Sequence, residues 1–170
     1  MIVISSVLVV FGIYLSSYVA YWLVLLVTHF LSSEHPSAAG MLLTRFAVVI
    51  PAHNEELLLP RLLASTRNQD YPGELFDTIV VADNCTDSTA DIGRHQNATV
   101  LVRVDERNRG KGHAIKWALE TIDLDKYDAV LIVDADCFIS SNALRSLDGV
   151  IQEKQVIQCY SGVGNSDDSW

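Results

Sequence analysis

The chain has 170 residues, 49% of them hydrophobic, and its 12 Lys and Arg against 21 Asp and Glu give a formal net charge of -9. That balance argues against a nucleic-acid partner, because phosphate-backbone binding relies on a positive surface, so a phosphorylated ligand must be held locally by a few residues or a metal. Cys85, Cys137 and Cys159 lie far apart with no CxxC spacing, which argues against a zinc site or a disulfide framework and for reduced thiols in a cytosolic compartment.

From Ile2 to Leu31 there is no Lys, Arg, Asp or Glu. As a helix this stretch is about 40 Å long, enough to cross a bilayer with tilt, so a transmembrane helix is predicted over residues 1–31. A cleaved secretory signal is the competing reading. It wants a basic n-region and an apolar core of about 7 to 15 residues; here the n-region has no basic residue and the run is about twice too long, although Ser37, Ala38 and Ala39 are suitably small. A buried soluble helix is a third reading. The first basic residue after the span is Arg45, a mild bias that places the C-terminal part in the cytoplasm, with the chain at the cell membrane. Tyr18, Tyr21 and Trp22 could form an interfacial belt that shortens the span to residues 2–22. Gly12, Ser16 and Ala20 recur every four residues, either as a seam for a second helix or by chance.

SSEHPSAAG (32–40) is small, polar and interrupted by Pro36, and a linker is predicted over 32–44. The chain then alternates. FAVVI (46–50), DTIVVAD (77–83), ATVLVRV (98–104), DAVLIVD (128–134) and QVIQCY (155–160) are short, β-branched and apolar, like strands buried on both faces. Helices are predicted between them over 55–68, with Pro60 near the first turn, over 86–96, over 110–122, and over 141–153 with Ser140 as N-cap. This alternation implies right-handed crossovers and an α/β fold with a Rossmann-like, mainly parallel sheet. Ligands of such sheets bind outside the carboxyl ends of the strands.

The predicted strand ends are polar. LIVDADC (131–137) sets Asp134 and Asp136 two residues apart, on one face of an extended chain with Cα atoms about 6.6 Å apart. Carboxylates that close resist joint ionisation without a cation. An oxygen-only pair suits a hard divalent ion, Mg²⁺ or Mn²⁺, which keeps several waters and completes its shell with substrate phosphate. The same pair also suits a solvated turn. Asp83 ends TIVVAD, where a carboxylate can accept from a nucleobase N–H or ribose hydroxyls, or simply cap a turn, and Thr86 or Asp87 is placed to start the next helix.

In RNRGKGHA, Lys111 stands between Gly110 and Gly112 where a helix begins, a combination that favours anions, or else leaves a solvated lysine at an ordinary turn. It is neither a Walker loop, since Gly112 follows the lysine, nor the dinucleotide fingerprint, whose third glycine is replaced by Ile115. In PAHNEE (51–56), Pro51 is expected to stop the first strand, with Asn54, Glu55 and Glu56 opening the following helix. His29, His35, His53, His95 and His113 have no metal-ligand spacing and receive no role.

VVIPAHNEE, VVADNCTDSTA, RNRGKGHAI and LIVDADC, in this order over about residues 45–160, closely resemble the family 2 glycosyltransferases of GT-A fold, especially the membrane-bound synthases of cellulose, hyaluronan and poly-N-acetylglucosamine. The resemblance implies a nucleotide-sugar donor, usually a UDP-sugar, and an acceptor hydroxyl on a glycan or lipid-linked acceptor. It implies inverting transfer assisted by a carboxylate base. It sets Asp83 near base and ribose, Lys111 near the nucleotide, Asp134 and Asp136 at the nucleotide and metal, and Pro51, Ala52 and Glu55 in the same donor site. The family's downstream acidic motif and its QxxRW-like motif have no counterpart here, and Asp148, Glu153, Asp167 and Asp168 do not match them. The catalytic base is therefore unassigned, and residues 45–170 read as the donor part of a longer enzyme. A haloacid-dehalogenase-type phosphatase also carries DxD after a strand, but Phe138 stands where that family has Thr or Val. A membrane-anchored nucleotide-binding module without turnover is the alternative of a different class.

Overall fold

A computed structural model describes residues 2–31, 44–151 and 156–159, and the chain divides into an N-terminal helical unit and an α/β unit. Helix α1 (Ile2–Leu31) is, among the described residues, the one helix long and apolar enough to cross a membrane, with a mean hydropathy of 1.6 over Phe11–Thr28. Its hydroxyls bond back to its own carbonyls: Ser16 Oγ donates to Gly12 O at 2.8 Å, Ser17 Oγ to Tyr14 O at 2.8 Å and Thr28 Oγ1 to Leu25 O at 2.9 Å. No water is available in hydrocarbon, so internal satisfaction of this kind is what a spanning helix requires. Trp22 makes edge contacts with Tyr18 and Tyr21 at 6.2 and 6.1 Å, grouping the aromatics expected to form a belt.

The second unit is built on a parallel sheet of β1 (Phe46–Ala52), β2 (Phe76–Asp83), β3 (Thr99–Arg103) and β4 (Ala129–Ile132) in the order β3-β2-β1-β4. Helices α2 (Leu59–Arg67), α3 (Thr89–His95), α4 (Lys111–Thr121) and α5 (Ala143–Ile151) connect and cover it. Alternation along β1 explains the layering, since successive side chains point to opposite faces. Phe46, Val48 and Ile50 join Leu59, Leu62, Leu63, Leu144 and Leu147 on one face; Ala47 and Val49 meet Ile79, Val81, Ala114 and Ala118 on the other. Each buried large aliphatic contributes about 1.5 to 3 kcal/mol, so both faces hold the sheet firmly.

Several boundaries differ from expectation. Pro51 does not end β1: it stays in register opposite Val81. Val49 O accepts from Val133 N–H at 3.0 Å, so Pro51, two residues on, turns its nitrogen to the same β4 side, where pairing has already stopped at Ile132. No ladder bond is lost. Helix α2 starts at Leu59 rather than Glu55, with Pro60 in its first turn, and the N–H groups of Glu55 and Glu56 are bonded to Thr89 Oγ1 and Asp87 Oδ2. Helix α3 starts at Thr89 rather than Thr86.

Ser140 does not cap α5 with its side chain; its carbonyl accepts from Ala143 N–H, and Gln69 Oε1 accepts the Leu144 N–H. Residues 156–159 form no strand, while the ends of the predicted fifth strand, residues 155 and 160, lie outside the described residues, as does the predicted linker up to residue 43. Thr44, assigned to that linker, is buried in the unit, its N–H donating to Asp148 Oδ1 at 3.0 Å.

Candidate functional site

The strand order reverses between β1 and β4, and the crevice outside their carboxyl ends is where doubly wound sheets bind ligands. A cleft of about 380 Å³ opens there. It is lined by all seven residues singled out from sequence, Pro51, Ala52, Glu55, Asp83, Lys111, Asp134 and Asp136, together with His53, Asn84, Arg109, Gly110, Ala114 and Ala135.

After β4 the chain keeps an alternating pattern: Val133 and Ala135 are buried, Asp134 and Asp136 exposed. Both carboxylates thus line the cleft while the apolar pair anchors the loop. Lys111, the first residue of α4, is ion-paired with Asp134. Both side chains are about half exposed, so the pair is worth at most about 1 kcal/mol and can exchange partners readily. Gly110, ahead of it, has φ 112° and ψ 153°, a conformation essentially restricted to glycine. Gly112 sits inside the helix and needs no such freedom.

The β1 and β2 loops are zipped together. Asn54 and Asn84 both take left-handed backbone, at φ 57° and 51°, where asparagine is tolerated best after glycine. Asn54 Oδ1 accepts from Thr86 N–H at 2.8 Å, Glu56 Oε2 from Ser88 N–H at 3.1 Å, and Asp87 Oδ2 from Glu56 N–H at 3.1 Å. Burial pushes the Asp87 carboxyl up, but hydrogen bonds from the Thr89 hydroxyl and N–H and from Glu56 N–H outweigh it and hold it below the usual carboxylate range. His53 Nδ1 lies 2.7 Å from the Asp83 carbonyl, which requires the proton on Nδ1 and leaves Nε2 to accept when the ring is neutral. Burial raises the Cys85 thiol, whose Sγ donates to Ala52 O at 3.4 Å, and burial with the Asp136 and Asp134 carboxylates raises that of Cys137. Neither is poised as a thiolate.

Asp83 itself is buried at the end of β2, with Arg103 Nη1 donating to its Oδ1 at 2.6 Å and Asn84 Nδ2 at 3.0 Å. Its other oxygen carries no hydrogen bond among the described residues. Arg103, Asn84, His53 and Arg109 were not singled out from sequence. The available signal for Arg103 was a charge inside the apolar run ATVLVRV, which has to find a buried partner. Asp148 is turned away into structure: its Oδ1 accepts from Thr44 N–H and the Tyr71 hydroxyl.

The donor set fits a divalent ion only in part from protein. Among the described residues no three His, Cys, Asp or Glu side chains gather as ligands, so Asp134 and Asp136 would supply two carboxylates and leave the remaining positions to water and ligand oxygens. That is the ordinary arrangement for Mg²⁺ or Mn²⁺ on a phosphorylated substrate.

A 3-2-1-4 parallel sheet with acids and a lysine at its switch point defines a Rossmann-like nucleotide-binding fold of GT-A type. The chain belongs to glycosyl transferase family 2, whose family model matches residues 47–170. It is similar to the poly(ribitol-phosphate) β-N-acetylglucosaminyltransferase TarS of Staphylococcus aureus, 28% identical over 109 residues that cover 64% of this chain and 19% of TarS. The crystal structure of S. aureus TarS 1-349 in complex with UDP-GlcNAc matches with a TM-score of 0.54 at 32% identity, over 64% of this chain and 31% of that one. Mannosyltransferase PcManGT from Pyrobaculum calidifontis, in complex with GDP-Man and Mn²⁺, matches with a TM-score of 0.58 at 25% identity, over 76% of this chain and 39% of that one. The chain therefore spans about a fifth of the length of TarS.

Proposed function

We propose that residues 45–170 bind the nucleotide-sugar donor of a glycosyltransferase that passes a sugar from a UDP-sugar to an acceptor hydroxyl on a glycan or lipid-linked acceptor, with inversion, and that α1 anchors this unit to the cell membrane with the α/β unit in the cytoplasm. The observation that carries the reading is the convergence of Asp83, Lys111, Asp134 and Asp136 on one cleft at the switch point of the sheet. The complex of TarS with UDP-GlcNAc supports uridine as the nucleoside, and the complex of PcManGT with GDP-Man makes guanosine the rival.

In this reading the nucleoside lies at the β2 end, where the unbonded oxygen of Asp83 accepts a base N–H and His53 flanks it. The diphosphate lies over the start of α4, where the helix N-terminus and Lys111 both favour negative charge. Donor binding draws Lys111 from Asp134 to phosphate, which frees that carboxylate together with Asp136. Asp134 and Asp136 would hold a divalent ion there, which would supply positive charge against the leaving diphosphate. Pro51 and Ala52 form the floor at the β1 end, and Glu55 stands at the cleft wall.

The test is calorimetric titration of the full chain in detergent with UDP, GDP and CDP, each with and without Mn²⁺. Mn²⁺-dependent binding of UDP above the other two is the expected result. A folded sample that binds none of the three would overturn the proposal.

A further inference from the structure

We infer that Arg103 is a positioning residue of the donor site, tying the nucleoside carboxylate Asp83 to the loop that delivers Lys111; this deepens the proposed function and rests on it. Arg103 is the last residue of β3 and its side chain is 6% exposed. Its guanidinium reaches three acceptors on two loops. Nη1 donates to Asp83 Oδ1 at 2.6 Å, and Nη2 donates to Asp105 Oδ2 at 2.9 Å and to Asn108 O at 2.8 Å.

Asp105 carries the connection onward. Its Oδ1 accepts the N–H groups of Arg107 and Asn108, each at 3.0 Å, and Oδ2 accepts the Asn108 amide at 3.0 Å. The Asn108 bonds, side chain first and then backbone, hold the Asp105 carboxyl below its usual range, so it stays an acceptor. Asn84 closes the circuit: its Oδ1 accepts Asp105 N–H at 2.8 Å while its Nδ2 donates to Asp83 Oδ1 at 3.0 Å. The segment from Asp105 to Asn108 leads directly into Arg109, Gly110 and Lys111, which line the cleft.

This geometry has two consequences. Both bonds to Asp83 fall on one oxygen, which fixes its rotamer and leaves the other oxygen for a ligand. The start of α4 cannot shift without disturbing the group that holds Asp83, so the nucleoside and phosphate ends of the site move as one body. Only a planar fork serves both loops at once, since a lysine in its place retains the charge but not the geometry.

The experiment compares the full chain in detergent as wild type, R103K and R103M by amide hydrogen exchange and by titration with uridine and with UDP plus Mn²⁺. In R103K the ammonium keeps Asp83 paired but releases Asp105 and Asn108. Amides of residues 105–111 should then exchange about tenfold faster while α2 is unchanged, and UDP affinity should fall about tenfold or more while uridine affinity stays within about threefold, the scale of one lost charged hydrogen bond. R103M should lose affinity for both ligands. An R103K that melts at lower temperature yet keeps wild-type exchange over 105–111 and an unchanged UDP-to-uridine ratio would overturn the inference, because Arg103 would then serve stability alone. A wild type that binds no nucleotide would bring down the proposed function; amide exchange still decides the tether itself, and unchanged exchange in R103K overturns it.

Discussion

Two glycines flank Lys111, and the structure assigns opposite signs to their replacement. Gly110 combines φ 112° with ψ 153°, and a Cβ added there would meet nothing within 4 Å. The penalty for Gly110→Ala is therefore backbone conformation alone, on the order of 1 to 3 kcal/mol for a region that L side chains avoid. Gly112 lies inside α4 with ordinary backbone, and a Cβ there would likewise meet nothing within 4 Å. Gly112→Ala removes unfolded-state freedom and improves helix propensity, a gain of up to about 1 kcal/mol. Urea unfolding of the full chain in detergent, followed by Trp117 on α4, should place the two midpoints on either side of wild type. If Gly112 is small so that phosphate can approach the backbone, Gly112→Ala should also weaken UDP while stabilising the fold. A G110A chain as stable as wild type, or a G112A chain less stable than G110A, would refute the conformational reasoning.

Other outcomes follow from the same physics. Tyr71 is buried, and its hydroxyl lies 2.8 Å from Thr44 O and 3.2 Å from Asp148 Oδ1, while its ring packs edge-on against Phe46 at 5.6 Å. Tyr71→Phe keeps the ring contact and loses the hydrogen bond, so urea unfolding should report a loss of about 1 to 2 kcal/mol. Asp87 and Asp105 both titrate below the ordinary value of 3.8 in the folded chain. The stability they contribute is full above that value and is lost as pH falls through the lower folded pKa. Melting temperature measured from pH 6 downward should therefore drop below about pH 4, and D87N should flatten part of that drop.

The sheet was legible because β-branched runs such as FAVVI and TIVVA are buried on both faces, a property written into composition, although AVLI in β4 leaves Val130 and Ile132 exposed. The four polar strand ends were legible for the same reason: a charge that interrupts such a run either leaves the core, as Asp134 does, or is buried against a partner, as Asp83 is against Arg103. Partnerships between loops were not. Glu55 and Glu56 look like helix-opening acids, yet α2 starts only at Leu59 and their N–H groups go to Thr89 and Asp87, more than thirty residues away. Pro51 reads as a stop until the early end of β4 leaves its nitrogen with nothing to bond. Local propensity sees one segment at a time, whereas these outcomes depend on which segment lies beside it.

Charge balance at the cleft decides how far the diphosphate depends on a cation. Glu55, Asp83, Asp134 and Asp136 line it against Arg109 and Lys111. Arg109 is itself ion-paired with Glu106, and Arg103 behind the wall is already committed to Asp83 and Asp105. A ligand bearing two or more negative charges thus meets a site with a negative surplus, in a chain that is already at -9. The helix N-terminus offsets about half a charge, too little to invert that surplus. Binding of UDP should accordingly be weak without Mn²⁺ and strengthen with it, whereas uridine, which has no phosphate, should ignore the metal. Asp136→Ala separates this from a general site defect: it should remove the Mn²⁺-dependent part of UDP binding and leave uridine binding intact. Mn²⁺-dependent UDP binding that persists unchanged in D136A would mean that the carboxylates of DAD do not hold the ion.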